Sequence, residues 1–333
     1  MNMQVLAGDI GGTHARLCLA EKKSEKIHII REQVYASQQY PDLLPIIQDF
    51  LQNHQDIDPI AACFAVAGPI RQQQAQVTNL PWLLNARQLA KSLSIERLSL
   101  LNDFQAAGYG LATLAEDQLF TLQTGQPEDQ ARRALIGAGT GLGISCLIYQ
   151  DHRYVPYPSE GGHVGFAPAD RLQSSLLAYL QSSLGYVCYE HLLSGAGLVR
   201  IYRFLLEEHG AASAFSESIM QSAEPAAEIS HHAQHGDDDI ALQTLDCFIR
   251  IYAAQAGNVA LNYLASGGIY LAGGIAPKII DQLNSDHFLA AFQNKGAMSD
   301  LMRSFPVKVI MQEKVGLLGA AEFAFHSFSE LRQ

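Results

Sequence analysis

Apolar and polar residues in the first third of the chain fall into short runs separated by glycine, proline and polar clusters. Val5-Leu6-Ala7, a glycine-rich turn over residues 8–13 and the alternating run Ala15-Arg16-Leu17-Cys18-Leu19-Ala20 have the pattern of strand, tight turn and antiparallel strand. Residues 27–35 offer a third strand. Leu43, Leu44, Ile47 and Leu51 recur at helical spacing across residues 41–54, with Pro41 where a fixed φ and a missing amide suit a first helical turn. Residues 61–67 form an apolar run stopped by Gly68-Pro69, which reads as a buried strand. Three strands, a helix and a fourth strand make an α/β unit whose first hairpin is antiparallel, unlike a Rossmann domain.

The pattern returns. Residues 134–136 are a short apolar strand, 137–141 a second glycine-rich turn and 142–149 a second hairpin arm. The two turns begin at Gly8 and Gly137, 129 positions apart, which predicts two related halves presenting turns to a shared cleft. Between them, residues 98–101 predict a strand ending in Asn102-Asp103, followed by a helix through Leu114. The rest is mainly helical, with apolar spacing of that period across residues 171–184, 197–209, 241–264 and 277–292. Strands are expected at 268–272, ending in Gly273-Gly274, and at 307–310, with a small surface helix and loops over 210–240. The expected division is a small α/β domain over 1–106, with a C-terminal helix at about 316–333 packing back on it, and a large α/β domain over 107–315.

Composition narrows the partners. Hydrophobic residues make up 48% and charged ones 17% of 333, so the chain can bury enough apolar surface to offset its ordering entropy. With 22 Lys and Arg against 33 Asp and Glu, the net charge is −11 and no long basic run occurs; nucleic acid and phospholipid surfaces would meet repulsion. Small anions stay possible, because backbone amides bind them locally. Cys18, Cys63, Cys146, Cys188 and Cys247 are far apart and mostly flanked by apolar residues, as reduced core thiols are, and no CxxC pair or His/Cys cluster supports structural zinc. The N-terminus lacks the pattern of an export signal, and no apolar run reaches the length of a membrane span. A cytoplasmic address without membrane attachment is the expectation.

Candidate chemistry gathers at the glycines. In Gly8-Asp9-Ile10-Gly11-Gly12-Thr13, successive glycines leave amides open to close approach and Thr13 adds a hydroxyl, a combination suited to phosphate oxygens; a plain tight turn is the alternative. Asp9, a charge ending an apolar strand, needs a cation or hydrogen-bond partner if buried. Gly137-Ala138-Gly139-Thr140-Gly141 repeats the device, and Gly273-Gly274 follows a third strand. Together they suggest a clamp around a polyphosphate nucleotide, although neither the dinucleotide fingerprint nor the P-loop pattern is present. Asn102-Asp103 ends a strand, where α/β folds place ligand groups; an Asx turn or a helix N-cap is the competing reading. Glu160 and His163 flank two glycines, and Glu190 sits in an apolar approach to Gly195, with a helix cap, a solvated turn or a surface helix as alternatives. Asn102, Asp103, Glu160, His163 and Glu190 are the set a polyhydroxylated substrate would need.

Read in order, Gly8 to Thr13, Leu101-Asn102-Asp103-Phe104, Gly137 to Gly143, Glu160-Gly161-Gly162-His163, Leu193 to Leu198, Leu271-Ala272-Gly273-Gly274-Ile275 and Gly316 to Ala321 give the chain a close resemblance to the bacterial glucokinase family, within the sugar kinase, actin and Hsp70 superfamily. The resemblance implies a ribonuclease-H-like fold duplicated into two domains around a central cleft, a homodimer, and ATP-dependent phosphorylation of glucose at its 6-hydroxyl. It implies Asp103 as general base and Asn102, Glu160, His163 and Glu190 on the sugar hydroxyls. It also implies the turn Gly8, Asp9, Ile10, Gly11, Gly12 and Thr13 on phosphates, Asp9 positioning Mg²⁺ through water, and Gly137, Ala138, Gly139, Thr140, Gly273 and Gly274 completing the nucleotide side. His14 departs from the family, which usually has Asn after Gly-Gly-Thr. The sugar-responsive ROK-type repressor and the actin-like filament former are the non-enzyme alternatives. The first is disfavoured by the missing ROK cysteine cluster and winged helix, the second by Glu160 and His163 occurring together.

Overall fold

The structure, a computed structural model, describes residues 3–24, 26–54, 58–210 and 212–329. It divides into two compact units: Met1–Glu116 with Gln150–Pro158 and Gln312–Gln333, and Asp117–Tyr149 with Ser159–Met311. Each has its own sheet and core. The first contains strands β1 (Gln4–Ile10), β2 (His14–Lys23), β3 (Lys26–Ala36), β4 (Ala61–Val66), β5 (Gln74–Gln76), β6 (Leu83–Asn85) and β7 (Arg97–Asn102). Its main sheet runs β3-β2-β1-β4-β7, antiparallel through the first three and parallel from β1 to β7. Ile10 pairs with Val66 and Val66 with Asn102, so three parallel strands end at one level.

Strand alternation explains the core on both sheet faces. Leu6 and Ile10 pack with Leu17, Ile46, Phe50, Phe64 and Trp82 on one face. Val5 and Ala7 pack on the other with Leu317, Ala320, Ala321 and Phe325 of the last helix, Val315–Ser329. That helix lies backbone to backbone on the helix Asp103–Leu111, because a Cβ at Gly319 would strike the Ala106 carbonyl and one at Gly110 the Val315 carbonyl. This packing keeps residues 103–111 with the first unit, so its boundary falls at residue 116 instead of 106, and residues 150–158 also join it. The helix expected from Pro41 begins at Leu43, because the Asp42 carboxylate accepts from the Leu43 amide at 2.7 Å and sets the start.

The chain passes along β11 (Arg153–Ser159) from the first unit into the second, which holds β8 (Leu119–Gln123), β9 (Arg133–Ala138), β10 (Leu142–Gln150), β12 (Ile269–Ala272) and β13 (Val307–Ile310). Its strands lie in the order β10-β9-β12-β13-β8, with β9-β10 antiparallel and β9-β12-β13 parallel. This repeats the pairing of β2, β1, β4 and β7. The 25-residue helix Asp239–Tyr263 packs beneath, and the Tyr252 hydroxyl donates to the Ile136 carbonyl at 3.1 Å. The helix expected at 277–292 is broken into a 3₁₀ turn at Ala276–Ile279 and helices Ile280–Leu283 and Asp286–Gln293, since Ser285 caps the last of them. Residues 210–240 hold two helices, Ser216–Gln221 and Pro225–His235. Among the described residues no helix is long and apolar enough to cross a membrane.

Candidate active site

In the first unit the site grows from the ends of β1, β4 and β7. Gly8 and Ile10 are buried strand residues, and a Cβ on Gly8 would stand 2.6 Å from Phe64. These two, expected on phosphates, therefore serve to pack the strand and not to face a ligand. The turn itself starts at Gly11, whose amide donates to the His14 carbonyl at 2.9 Å. Ser37 braces it, its hydroxyl donating to the Gly11 carbonyl at 2.9 Å. Gly12 has the Thr78 carbonyl 2.7 Å from where a Cβ would be, so any side chain there would force the turn open. Thr13 and His14 are exposed.

Asp9 shares the sheet face of Val5 and Ala7, which brings its carboxylate to the start of the last helix: a Cβ on Gly316 would lie 3.7 Å from its Oδ2. Its backbone pairs with Arg16. Burial pushes the Asp9 pKa up, and the Arg16 guanidinium only partly opposes this. No hydrogen bond reaches its carboxylate among the described residues. A desolvated carboxyl short of donors suits a hydrated divalent cation, which usually takes one or two carboxylates plus substrate phosphates.

Asn102 is the N-cap of the helix Asp103–Leu111, as the competing sequence reading had it. Its Oδ1 accepts from the Phe104 and Gln105 amides at 3.0 and 3.3 Å, and its Nδ2 donates to the Gly68 carbonyl at 3.2 Å. Gly68 has φ +137°, a value that favours glycine. Asp103 is thus held at the first helical position, and its Oδ1 accepts from the Phe104 amide at 2.9 Å.

In the second unit, Gly137 and Ala138 are buried in β9, and the turn begins at Gly139. The Gly139 carbonyl accepts from the Gly195 amide at 2.9 Å. Gly273 has φ +81° and its absent side chain would strike the Ala138 carbonyl, whereas Gly274 faces open space. Gly139, Thr140, Gly195 and Gly274 line a pocket of about 990 Å³ walled by Pro225, Ala226 and Ile275, with Arg200, Arg203, His231 and Lys278 around it. Of these, the sequence reading had only Gly139, Thr140 and Gly274. The Ser194 cap and the glycines after it were a local signal, since Ser194 Oγ accepts from the Gly197 amide at 3.1 Å. His231 and Lys278 carried none.

Glu160, His163 and Glu190 are brought together. His163 Nε2 lies 3.9 Å from Glu160 Oε2, and its Nδ1 3.9 Å from Glu190 Oε1. Side-chain exposures of 71% for Glu160 and 58% for His163 leave both open to a ligand, while Glu190 is at 32%. Glu190 Oε2 accepts from the Leu142 amide at 2.9 Å, in the space left by Gly141. Two 3₁₀ turns, Gly161–His163 and Tyr189–His191, carry the set. A short ladder ties their segments: the Phe166 amide donates to the Val187 carbonyl at 2.9 Å and the Tyr189 amide to the Val164 carbonyl at 3.2 Å. Beside Glu190, burial lowers the His191 pKa, helped by Arg200. Among the described residues no group of three or more His, Cys, Asp or Glu could hold a metal ion. Two carboxylates and an imidazole around an open space give strong acceptors and a directional donor for several hydroxyls of one sugar.

The glucokinase family model matches residues 6–327. A glucokinase of Trichormus variabilis is 44% identical over 335 residues, covering 95% of this chain and 97% of that one, and a glucokinase of Synechocystis is 40% identical over 352 residues, covering 98% and 99%. A crystal structure of glucokinase from an Antarctic psychrotroph superposes with a TM-score of 0.85 at 30% identity, covering 98% of this chain and all of that one. A ROK family glucokinase from Streptomyces griseus shares the fold at 19% identity, with a TM-score of 0.64 and coverage of 97% and 99%. The fold is α/β, built of two units and shared with the ROK family glucokinase, and the chain belongs to the glucokinase family.

Proposed function

We propose a residue-level mechanism for this chain, an ATP-dependent glucokinase that transfers phosphate from ATP to glucose. In it Asp103 is the general base for the sugar 6-hydroxyl. As that oxygen forms its bond to the γ-phosphorus, the bond to the bridging oxygen of ADP breaks and the hydroxyl proton passes to the Asp103 carboxylate. A sugar hydroxyl has a high pKa, so Asp103 need only orient it and accept the proton as the O–P bond forms. Glu160, His163 and Glu190, with Asn102, bind hydroxyls of the hexose. Asn102 also fixes where Asp103 stands, through the cap it makes.

Gly11, Gly12 and Thr13, with Gly139, Thr140, Gly273 and Gly274, serve the phosphates, and the pocket beyond Gly139 and Gly274 receives the rest of the nucleotide. Mg²⁺ would be held by Asp9 through water, and when bound it would supply positive charge to the phosphate oxygens. The finer fold reading belongs here as well: a ribonuclease-H-like unit present twice around a central cleft, supported by the same strand pairing in both sheets. The homodimer and the cytoplasmic setting are part of the same reading.

The observation that carries the sugar assignment is the approach of Glu160 and Glu190 to the two nitrogens of His163, each at 3.9 Å. A coupled kinase assay over glucose, mannose, fructose, galactose and N-acetylglucosamine, with ATP and ADP as donors, tests selectivity. Asp103→Asn is expected to keep its fold and glucose affinity and to lose turnover by about 10²-fold to 10⁴-fold. Near-normal turnover in the folded variant would remove Asp103 from the role.

A further inference from the structure

A half-buried lysine lies behind the sugar residues in the second unit, with no carboxylate against it among the described residues. Lys295 Nζ donates to the Ala254 carbonyl at 2.8 Å and to Asn258 Oδ1 at 2.7 Å, both on the helix Asp239–Tyr263. Desolvation lowers its pKa from the ordinary lysine value, so the protein keeps a cation here against its burial. The helix is shaped to admit it: a Cβ on Gly257 would stand 2.6 Å from Lys295 Cε. An unbranched apolar residue would fill the same channel without needing the carbonyl or the amide, so packing alone does not account for the charge.

The charge is relayed toward the site. Asn258 Oδ1 faces the ammonium, which turns its Nδ2 outward; that nitrogen donates to Gln255 Oε1 at 3.0 Å and to the Tyr189 hydroxyl at 3.2 Å. Tyr189 opens the 3₁₀ turn that carries Glu190. Its amide donates to the Val164 carbonyl at 3.2 Å, and its ring stands edge-on to Phe166 at 5.5 Å. Val164 and Phe166 continue the segment that carries Glu160 and His163. Tyr189 therefore joins both sugar segments, and Lys295 sets the orientation of the amide that holds its hydroxyl.

We propose that Lys295, Asn258 and Tyr189 are positioning residues for glucose recognition, holding Glu190 and the Glu160–His163 loop in mutual register. None of the three touches the sugar. This rests on the reading of Glu190 as a sugar ligand, so Glu190→Gln is measured alongside. The relay carries polar orientation and not bulk, so its loss alters glucose binding and leaves nucleotide binding alone.

The experiment is steady-state kinetics on the full chain with varied glucose and varied ATP, for Tyr189→Phe, Lys295→Met, their double variant and Glu190→Gln, with thermal melts. Tyr189→Phe keeps the ring packing, so it decides the matter even if Lys295→Met fails to fold. Each single variant is expected to raise the glucose KM by about 3-fold to 10-fold, the size of one buried hydrogen bond, with the ATP KM unchanged. The double variant should be no worse than the weaker single one, since both break one chain. An unchanged glucose KM in folded Tyr189→Phe, an equal rise in the ATP KM, or additive effects would overturn the relay. Unchanged glucose affinity in Glu190→Gln would instead overturn the sugar assignment on which it stands.

Discussion

Single residues at the site are explained by what surrounds them. Asp9 shows this most directly, because the strand register that turns it toward the last helix also strips it of water. Its folded pKa lies above the ordinary 3.8, so the native state holds the proton more tightly than the unfolded chain does. Its contribution to stability is fully present below that ordinary value and is lost as the pH rises through the raised one. Asp9→Asn, which cannot ionise, should therefore match the parent in ligand-free melts under acid conditions and exceed it at neutral pH. On the proposed reading, in which Asp9 would hold Mg²⁺ through water, turnover should fall by about 10²-fold or more, as expected when electrostatic support of the transferring phosphate is lost. A variant no more stable than its parent at neutral pH would show that Asp9 is not held against its burial. Asp103 differs in kind: it begins a helix, and the Asn102 cap before it sets where it stands.

At the scale of elements, each glycine-rich turn divides into glycines that the fold needs and glycines that leave room. Gly273 is left-handed and lies against the Ala138 carbonyl, while Gly274, its neighbour, faces empty space at the pocket. Gly273→Ala should lose about 1 to 3 kcal/mol of stability, the usual cost of a non-glycine residue in a disfavoured backbone region. Gly274→Ala should stay within about 0.5 kcal/mol of the parent and raise the ATP KM with the glucose KM unchanged. Denaturant melts and substrate titrations of the two variants separate these roles, and equal stability losses would show that the division is wrong. Gly8 and Gly12 both belong with Gly273, one crowded by Phe64 within the sheet and the other by the Thr78 carbonyl at the turn. Sequence alone presents all of them as one glycine-rich motif.

At the scale of the whole molecule, the chain builds its first unit from both ends. Leu317, Ala320, Ala321 and Phe325 complete one face of a sheet whose strands lie within residues 4–102. Gly319 makes the closest approach, against the Ala106 carbonyl. Gly319→Val should therefore destabilise the first unit by more than about 3 kcal/mol, as overpacking a site without room for a side chain does. Hydrogen exchange can follow this unit by unit: faster exchange of the amides in β1, β4 and β7, with β9, β12 and β13 less affected, is expected. Uniform protection in the variant would mean that the last helix is dispensable. The arrangement also makes the N-terminal segment dependent on synthesis of the C-terminus before its sheet is covered.

Local patterns in the sequence determined the hairpins at both glycine turns, the buried strands that follow them, the helices 171–184 and 317 onward, and the residue types of the site. These follow from neighbours along the chain: alternation, helical spacing, and glycine where amides must be open. The family was legible as well, because its motifs occur in order along the chain. Tertiary structure decided the rest. It placed Gly8, Ile10, Gly137 and Ala138 inside strands, since only packing distinguishes a crowded glycine from an open one. It broke the helix expected at 277–292 where Ser285 caps a new one, and assigned residues 107–116 and 150–158 to the first unit. It brought Glu160 and Glu190 to His163, and tied Tyr189 through Asn258 to Lys295. Residues 37 and 69 positions apart share hydrogen bonds in that relay, and no local pattern records such distant partners, because their meeting depends on the packing of whole elements.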